Sequence, residues 1–314
     1  MFAGERTRAR ERNLWLDLVR IGAAVAVFVM HQQVAGGIQL GDVGYNGRLG
    51  VYVFFVLSGH LVGGLYRPGN VRGYALRRLA RIVPAYYLAV IGITLLTGDS
   101  DFARQPAAYL TFTQTWLLPL PYGPLHPTWT LASEMAFYVL VPFLARYPAI
   151  AYLLAIPSFA ASTIAPEFPL SAIWAFAIGM AAARIPLPPA PAAILGGMGL
   201  AAGFVIGNPL LIAAGTGGLI RAATRLPASS VVPVAIAADM TYAFYLWHES
   251  VLESLHLSGP VLVVVGFAVS AAVSAASLFV LERPILSAVT LRTGRAGAAA
   301  RERAALQSSE EAAL

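Results

Sequence analysis

The chain has 314 residues, of which 58% are hydrophobic and 11% charged, with a formal net charge of +6 and a mean hydropathy of +0.70. A soluble domain carries about 25% charged residues, so an ordinary soluble globular protein is excluded and a polytopic membrane protein built as one all-α bundle is indicated. The absence of cysteine excludes disulfides, thiolate metal sites and a cysteine nucleophile.

All 21 basic residues are arginine. With the heavy alanine and glycine content, this suggests a GC-rich bacterial genome. A pI near 9.8 fits nucleic-acid binding or membrane topology. Topology is the better reading, because arginine collects in the cytoplasmic loops of membrane proteins. The basic start, GERTRARERN, leads into a span with no small-residue cleavage site after it, so no signal peptide is expected.

About ten spans near the ~20 residues of a bilayer core are expected. They lie at 14–34, 48–66, 82–97, 128–146, 149–165, 168–184, 191–207, 208–224, 231–254 and 259–281. With the N-terminus in the cytoplasm, Arg67, Arg72, Arg77, Arg78, Arg81, Arg146, Arg184, Arg221 and Arg225 fall at inner ends. So do Arg283, Arg292, Arg295, Arg301 and Arg303, while Arg48 and Arg104 fall outside. This skew predicts an even number of spans and two cytoplasmic termini. Residues 1–290 would form the transmembrane domain and 291–314 a frayed or disordered cytoplasmic tail.

The first span, LDLVRIGAAVAVFVMH, carries Asp17, Arg20 and His31. Ionisable groups in hydrocarbon are costly and usually have a task. Asp17 and Arg20 are neighbours on one face, as an anchoring ion pair would be. His31 shares that face about three turns on, ~16 Å along the axis. In the second span, Ser58, Gly59, Gly63 and Gly64 are small enough for close helix packing, and His60 reads as structural or cavity-lining. Arg72, Arg77, Arg78 and Arg81 follow, the last three expected on the first turn of the third span. Arginine forks suit phosphates, although topology and lipid headgroups recruit arginine too.

The external stretch 98–127 is apolar, aromatic and proline-rich. It reads as a lid, a re-entrant loop or an interfacial segment held by Trp116 and Tyr122. Glu134 lies about two turns into the fourth span and needs a partner or a proton. The ninth span, DMTYAFYLWHESVLESLH, is the most polar, with Tyr242, Tyr245 and Glu249 on one face. Glu249, Glu253 and His256 share a face as well. Residues at a wet helix end look the same as such a trio, so no metal site is expected.

In order, LDLVRIGAAVAVFVMH, FFVLSG, RRLARIVPAYY, WTLASEMAFYVLVP, TYAFYLWH and ERP resemble the motifs of the integral-membrane acyltransferase family 3. These O-acyltransferases modify surface polysaccharides, peptidoglycan and antibiotics. Each motif alone is weak; six in family order across residues 16 to 284 are specific. The chain departs from the pattern at Tyr52, His60, Met135, Glu249 and Ser250; the last two replace the family's common Trp-Pro after the late histidine. No esterase-like domain follows the bundle, so transfer is expected to finish within the membrane domain.

The resemblance implies an inner-membrane, multi-pass enzyme. It would move an acyl group, expected to be acetyl, from cytoplasmic acyl-CoA to a hydroxyl of a sugar, surface glycan or secondary metabolite. Arg20, Arg77, Arg78 and Arg81 would hold the donor's phosphates, and its flexible arm would run up the bundle to His31. His31 would act as general base, with Glu134 orienting it or stabilising its charged form. Ser58, Tyr242, Trp247 and His248 would contact substrate; Ser58 or Ser133 as an acyl-enzyme nucleophile ranks lower. The partners expected are the lipid bilayer, acyl-CoA and the hydroxyl-bearing acceptor, with neither metal nor nucleic acid. A transporter or flippase of a glycan or lipid-linked substrate is the rival reading. It predicts internal repeats and paired broken helices, and neither is evident.

Overall fold

The computed structural model describes residues 12–64, 66, 69–98, 101–116 and 123–292. Among them the long helices are α1 (Leu14–Val34), α2 (Gly41–Gly64), α3 (Val71–Thr97), α4 (His126–Arg146), α5 (Pro148–Ile164), α6 (Pro169–Ala182), α7 (Pro189–Ile206), α8 (Pro209–Ala223), α9 (Val232–Ser254) and α10 (Gly259–Arg292). Six of these, α1 to α4, α7 and α10, are long and apolar enough to cross a membrane, while α5, α6 and α8 are shorter apolar helices. Length and composition thus support six spanning helices where ten were expected. α9 has 23 residues, long enough to span, but it carries Asp239, His248, Glu249 and Glu253 along its length.

Three helix limits also differ from expectation: α2 starts at Gly41, where residue 48 was expected, and α3 and α10 differ as follows. α3 begins at Val71, because the Asn70 side chain caps it by accepting a hydrogen bond from the Gly73 amide at 2.7 Å. Hydropathy sees only the apolar part of a helix, so the capped polar turns before residue 82 were missed. Arg77, Arg78 and Arg81 therefore lie inside the helix and not on its first turn. α10 continues past residue 281 through a π turn at Ser277–Glu282, where the Ser277 hydroxyl donates to Glu282 at 2.9 Å.

The start of α1 is latched to α9. Arg12 donates to Asp17 at 3.0 Å, to Asp239 at 3.0 Å and to the Ala235 carbonyl at 3.1 Å. Asn13 caps α1 through the amides of Trp15 and Leu16, and donates to the Ala223 carbonyl at 2.7 Å. A short parallel bridge pairs Asn13 with Ser229: the Leu14 amide donates to the Ser229 carbonyl at 3.0 Å and the Ser229 amide to the Arg12 carbonyl at 3.1 Å. The partner of Asp17 is thus Arg12, and the expected Asp17–Arg20 pair does not form. The Arg12 side chain bridges Asp17 and Asp239, two carboxylates on different helices, and Arg20 lines the interior instead.

Glycine sets the closest helix crossings, as expected where lipid supplies no hydrophobic drive for association and packing must do the work. A Cβ on Gly59 would overlap the Phe176 carbonyl, and one on Gly179 would overlap the Val56 carbonyl, so α2 and α6 touch backbone to backbone. Gly196, Gly215 and Gly218 do the same for the α7–α8 hairpin, which explains the glycine content of those two helices. Gly59→Val is expected to destabilise by about 1–3 kcal/mol. Gly22→Ala, with nothing within 4 Å of its new methyl, is expected to be neutral. Thermal unfolding in detergent compares the two; equal midpoints would remove the crossing from the account.

The segment between α3 and α4 lies against α3. Tyr86 donates to the Tyr109 carbonyl at 3.0 Å, Tyr87 donates to the Leu110 carbonyl at 2.6 Å, and Phe112 stacks on Tyr86 at 4.2 Å. Trp116 meets Phe168 edge-on at 5.9 Å. Tyr122, Arg67 and the tail beyond residue 292 lie outside the described residues.

Candidate active site

Among the described residues, two cavities in the bundle gather the polar side chains of interest. The larger, about 570 Å³, gathers Arg20 from α1, Ser58 from α2, Arg77, Arg78 and Arg81 from α3, Glu134 and Tyr138 from α4, and Tyr242 and Tyr245 from α9. Four guanidinium groups from two helices therefore face one space that a single carboxylate shares. Among the described residues none of these four arginines forms an ion pair. Arg78 lies over the rings of Tyr74 and Tyr138, at 6.0 and 5.7 Å, and its buried Nε has no partner. Concentrated positive charge of this kind has the chemistry of an anion site, and planar guanidinium forks match phosphate oxygens.

The carboxylate of this cavity is already engaged. Glu134 accepts from the Ser58 hydroxyl at 2.8 Å and from the Tyr138 hydroxyl. Tyr138 is held in turn, because its carbonyl accepts from the Tyr74 hydroxyl at 3.1 Å. Tyr242 donates to the Ile82 carbonyl at 2.9 Å, which ties α9 to α3 at the cavity wall.

The second cavity, about 360 Å³, is lined by His31, Val34, Ala35, Glu249, Leu252, Glu253, His256 and Leu257. His31 Nε2 lies 3.2 Å from Glu249 Oε2. On the other side of the ring, Nδ1 is 2.9 Å from the Val27 carbonyl and 3.1 Å from His248 Nε2. His248 is fully enclosed and turns its Nδ1 to the carbonyls of Tyr245, at 2.8 Å, and Phe244, at 3.1 Å. The partition between the cavities is thin. Tyr245 lines the first, its ring is 5.7 Å from that of His248, and the His248 ring is 4.7 Å from that of His31, which lines the second.

The expected residues therefore divide. Arg20, Arg77, Arg78, Arg81, Ser58, Glu134 and Tyr242 come together in the larger cavity. His31 lines the smaller one and does not meet Glu134. α1 packs on α9, so the carboxylate that reaches His31 is Glu249, while Glu134 stands with Arg20 and the α3 arginines. Trp247 lines neither cavity; its ring fills the space over Gly92 of α3. His248 sits behind His31 and lines neither cavity. Ser133 and His60 are buried away from both. The Glu249, Glu253 and His256 face reaches the smaller cavity, and among the described residues no three His, Cys, Asp or Glu side chains are arranged to hold a metal ion. Glu249 as the partner of His31 was missed, although its helical face with Tyr242 and Tyr245 was legible.

These features define a polytopic helical membrane protein with a cationic cavity and a histidine–carboxylate cavity back to back. The chain belongs to the acyltransferase 3 family, whose model, described as "Acyltransferase domain", matches residues 13–281. It is similar to "Nodulation protein 10" of Rhizobium leguminosarum bv. viciae, with 30% identity over 161 residues, covering 41% of this chain and 43% of that one. It is also similar to the "Putative peptidoglycan O-acetyltransferase YrhL" of Bacillus subtilis (strain 168), with 27% identity over 150 residues, 40% of this chain and 23% of that one. The chain thus aligns with less than half the length of each of these curated relatives. No solved structure matches.

Proposed function

We propose that this protein is an O-acyltransferase of the inner membrane. It moves an acyl group, acetyl in the first instance, from cytoplasmic acyl-CoA to a hydroxyl of a sugar, surface glycan or secondary metabolite. One observation carries the reading: Arg20, Arg77, Arg78 and Arg81 converge, without ion-pair partners among the described residues, on a single cavity whose wall backs onto His31. The donor's phosphates rest on the arginines, and its pantetheine arm passes Tyr245 toward the histidine. The ~16 Å from Arg20 to His31 suits that arm.

His31 takes the hydroxyl proton of the acceptor, the hydroxyl oxygen forms a bond to the thioester carbonyl, the carbon–sulfur bond breaks, and the thiolate leaves with the proton returned by His31. Ser58 keeps its hydroxyl on Glu134 at the donor end of this path. In its favour, the family is an acyltransferase family and one relative is named for O-acetyl transfer. The test is release of free thiol from acetyl-CoA by the purified protein, with and without candidate acceptors. Absence of both acetyl-CoA binding and thiol release would end this reading.

For cytoplasmic acyl-CoA to reach it, the arginine cavity must face the cytoplasm, and with it both termini. A reporter fused after residue 290 is expected to be active only in the cytoplasm. Activity only outside the cell would invert the arrangement and leave the donor on the wrong side.

A further inference from the structure

We infer that Glu249 is the carboxylate that serves His31, and that His248 fixes which nitrogen of His31 exchanges the proton. This deepens the reading above and rests on His31 being the base.

The assignment follows from counting donors and acceptors. Carbonyl oxygens only accept, so His248 Nδ1, at 2.8 Å from the Tyr245 carbonyl and 3.1 Å from that of Phe244, must carry hydrogen. In the neutral ring His248 Nε2 is then an acceptor. It faces His31 Nδ1 at 3.1 Å, and the other neighbour of that atom is the Val27 carbonyl at 2.9 Å. Both neighbours accept, so His31 Nδ1 also carries hydrogen. The nitrogen left to gain and lose a proton is Nε2, on the side of the ring beside Glu249 Oε2. Which ring nitrogen of a histidine is free to exchange a proton is set by the hydrogen bond that the other makes.

Glu249 acts through this atom. When His31 takes a proton from an acceptor hydroxyl, the imidazolium lies 3.2 Å from a carboxylate in a partly enclosed cavity, where charge pairing is stronger than in water. Glu134 does not supply this, because it sits in the other cavity and is held by Ser58 and Tyr138. The other ionisable groups on the His31 cavity, Glu253 and His256, are exposed where they reach it. Glu249 and His248 are thus positioning residues.

The test compares wild type with Glu249→Gln, Glu249→Asp and His31→Ala in detergent, using acetyl-CoA as the probe. Glu249→Gln is expected to lower kcat for thiol release by at least about tenfold, with KM and Kd for acetyl-CoA unchanged, and Glu249→Asp to recover part of the loss. Histidine-labelled protein read by nitrogen NMR is expected to show hydrogen on Nδ1 of His31, and a change at Nε2 in Glu249→Gln. Turnover within twofold of wild type in Glu249→Gln, with His31→Ala inactive, overturns the inference and leaves His31 as base. Normal turnover in His31→Ala overturns the parent reading as well. Hydrogen on Nε2 alone overturns the tautomer assignment, and this arm decides even if the wild type releases no thiol.

Discussion

His31→Ala is expected to abolish acyl transfer while donor binding survives. The arginines that would grip the donor lie in the larger cavity, and His31 lines the other one, so the substitution leaves the phosphate site untouched. His31→Gln is expected to fail as well: an amide can hold a hydrogen bond but cannot take the proton, and general-base catalysis contributes typically 10²–10⁴-fold. The measurement is thiol release from acetyl-CoA beside a direct binding assay. Turnover within about threefold of wild type in both variants, well short of that loss, would leave His31 as a structural link between α1 and α9 and return attention to Ser58.

Replacing Arg78 and Arg81 together with glutamine is expected to weaken acetyl-CoA binding by about 10²–10⁴-fold, since charge-assisted contacts contribute roughly 1.5–3 kcal/mol each. The fold should tolerate the change, because neither side chain holds a carboxylate in an ion pair among the described residues and both line open space. Arg12 makes the informative contrast: it ties Asp17 to Asp239 at the α1–α9 latch, so its loss should lower stability. Isothermal titration with acetyl-CoA reads the first effect and thermal unfolding the second. Undiminished affinity in the double variant would reduce the cluster to a topology signal.

Much of this was legible one helix at a time. The rise of an α-helix is fixed, so Arg20 and His31 had to lie about three turns apart on one face. The spacing of Tyr242, Tyr245 and Glu249 had to put them on one stripe of α9, and both tyrosines do line the larger cavity. The glycines near Ser58 had to mark a close crossing, and Gly59 meets the α6 backbone. The α3 start was not legible from hydropathy, since a capped polar turn and a loop look alike on that measure; Asn70 was the signal available. Trp247 could not be placed from the sequence, because an aromatic on a polar helix suits a substrate or a glycine notch equally well; the structure sets its ring over Gly92 on the facing helix.

The sequence by itself determined that this is a polytopic α-helical membrane protein, where most of its helices run, and that arginine, histidine and carboxylate groups stand at particular depths. Its motifs pointed to the acyltransferase 3 family, to which it belongs. Only the tertiary structure decided which of those groups meet. Depth along a helix follows from local geometry, but the identity of the neighbouring helix follows from contacts far apart in the chain. Here Arg12 and Asn13 lock the start of α1 to α9 and the end of α8. That packing carries His31 to Glu249 and His248, and Glu134 is left with Ser58 and Tyr138 in the other cavity, across the Tyr245–His248 partition.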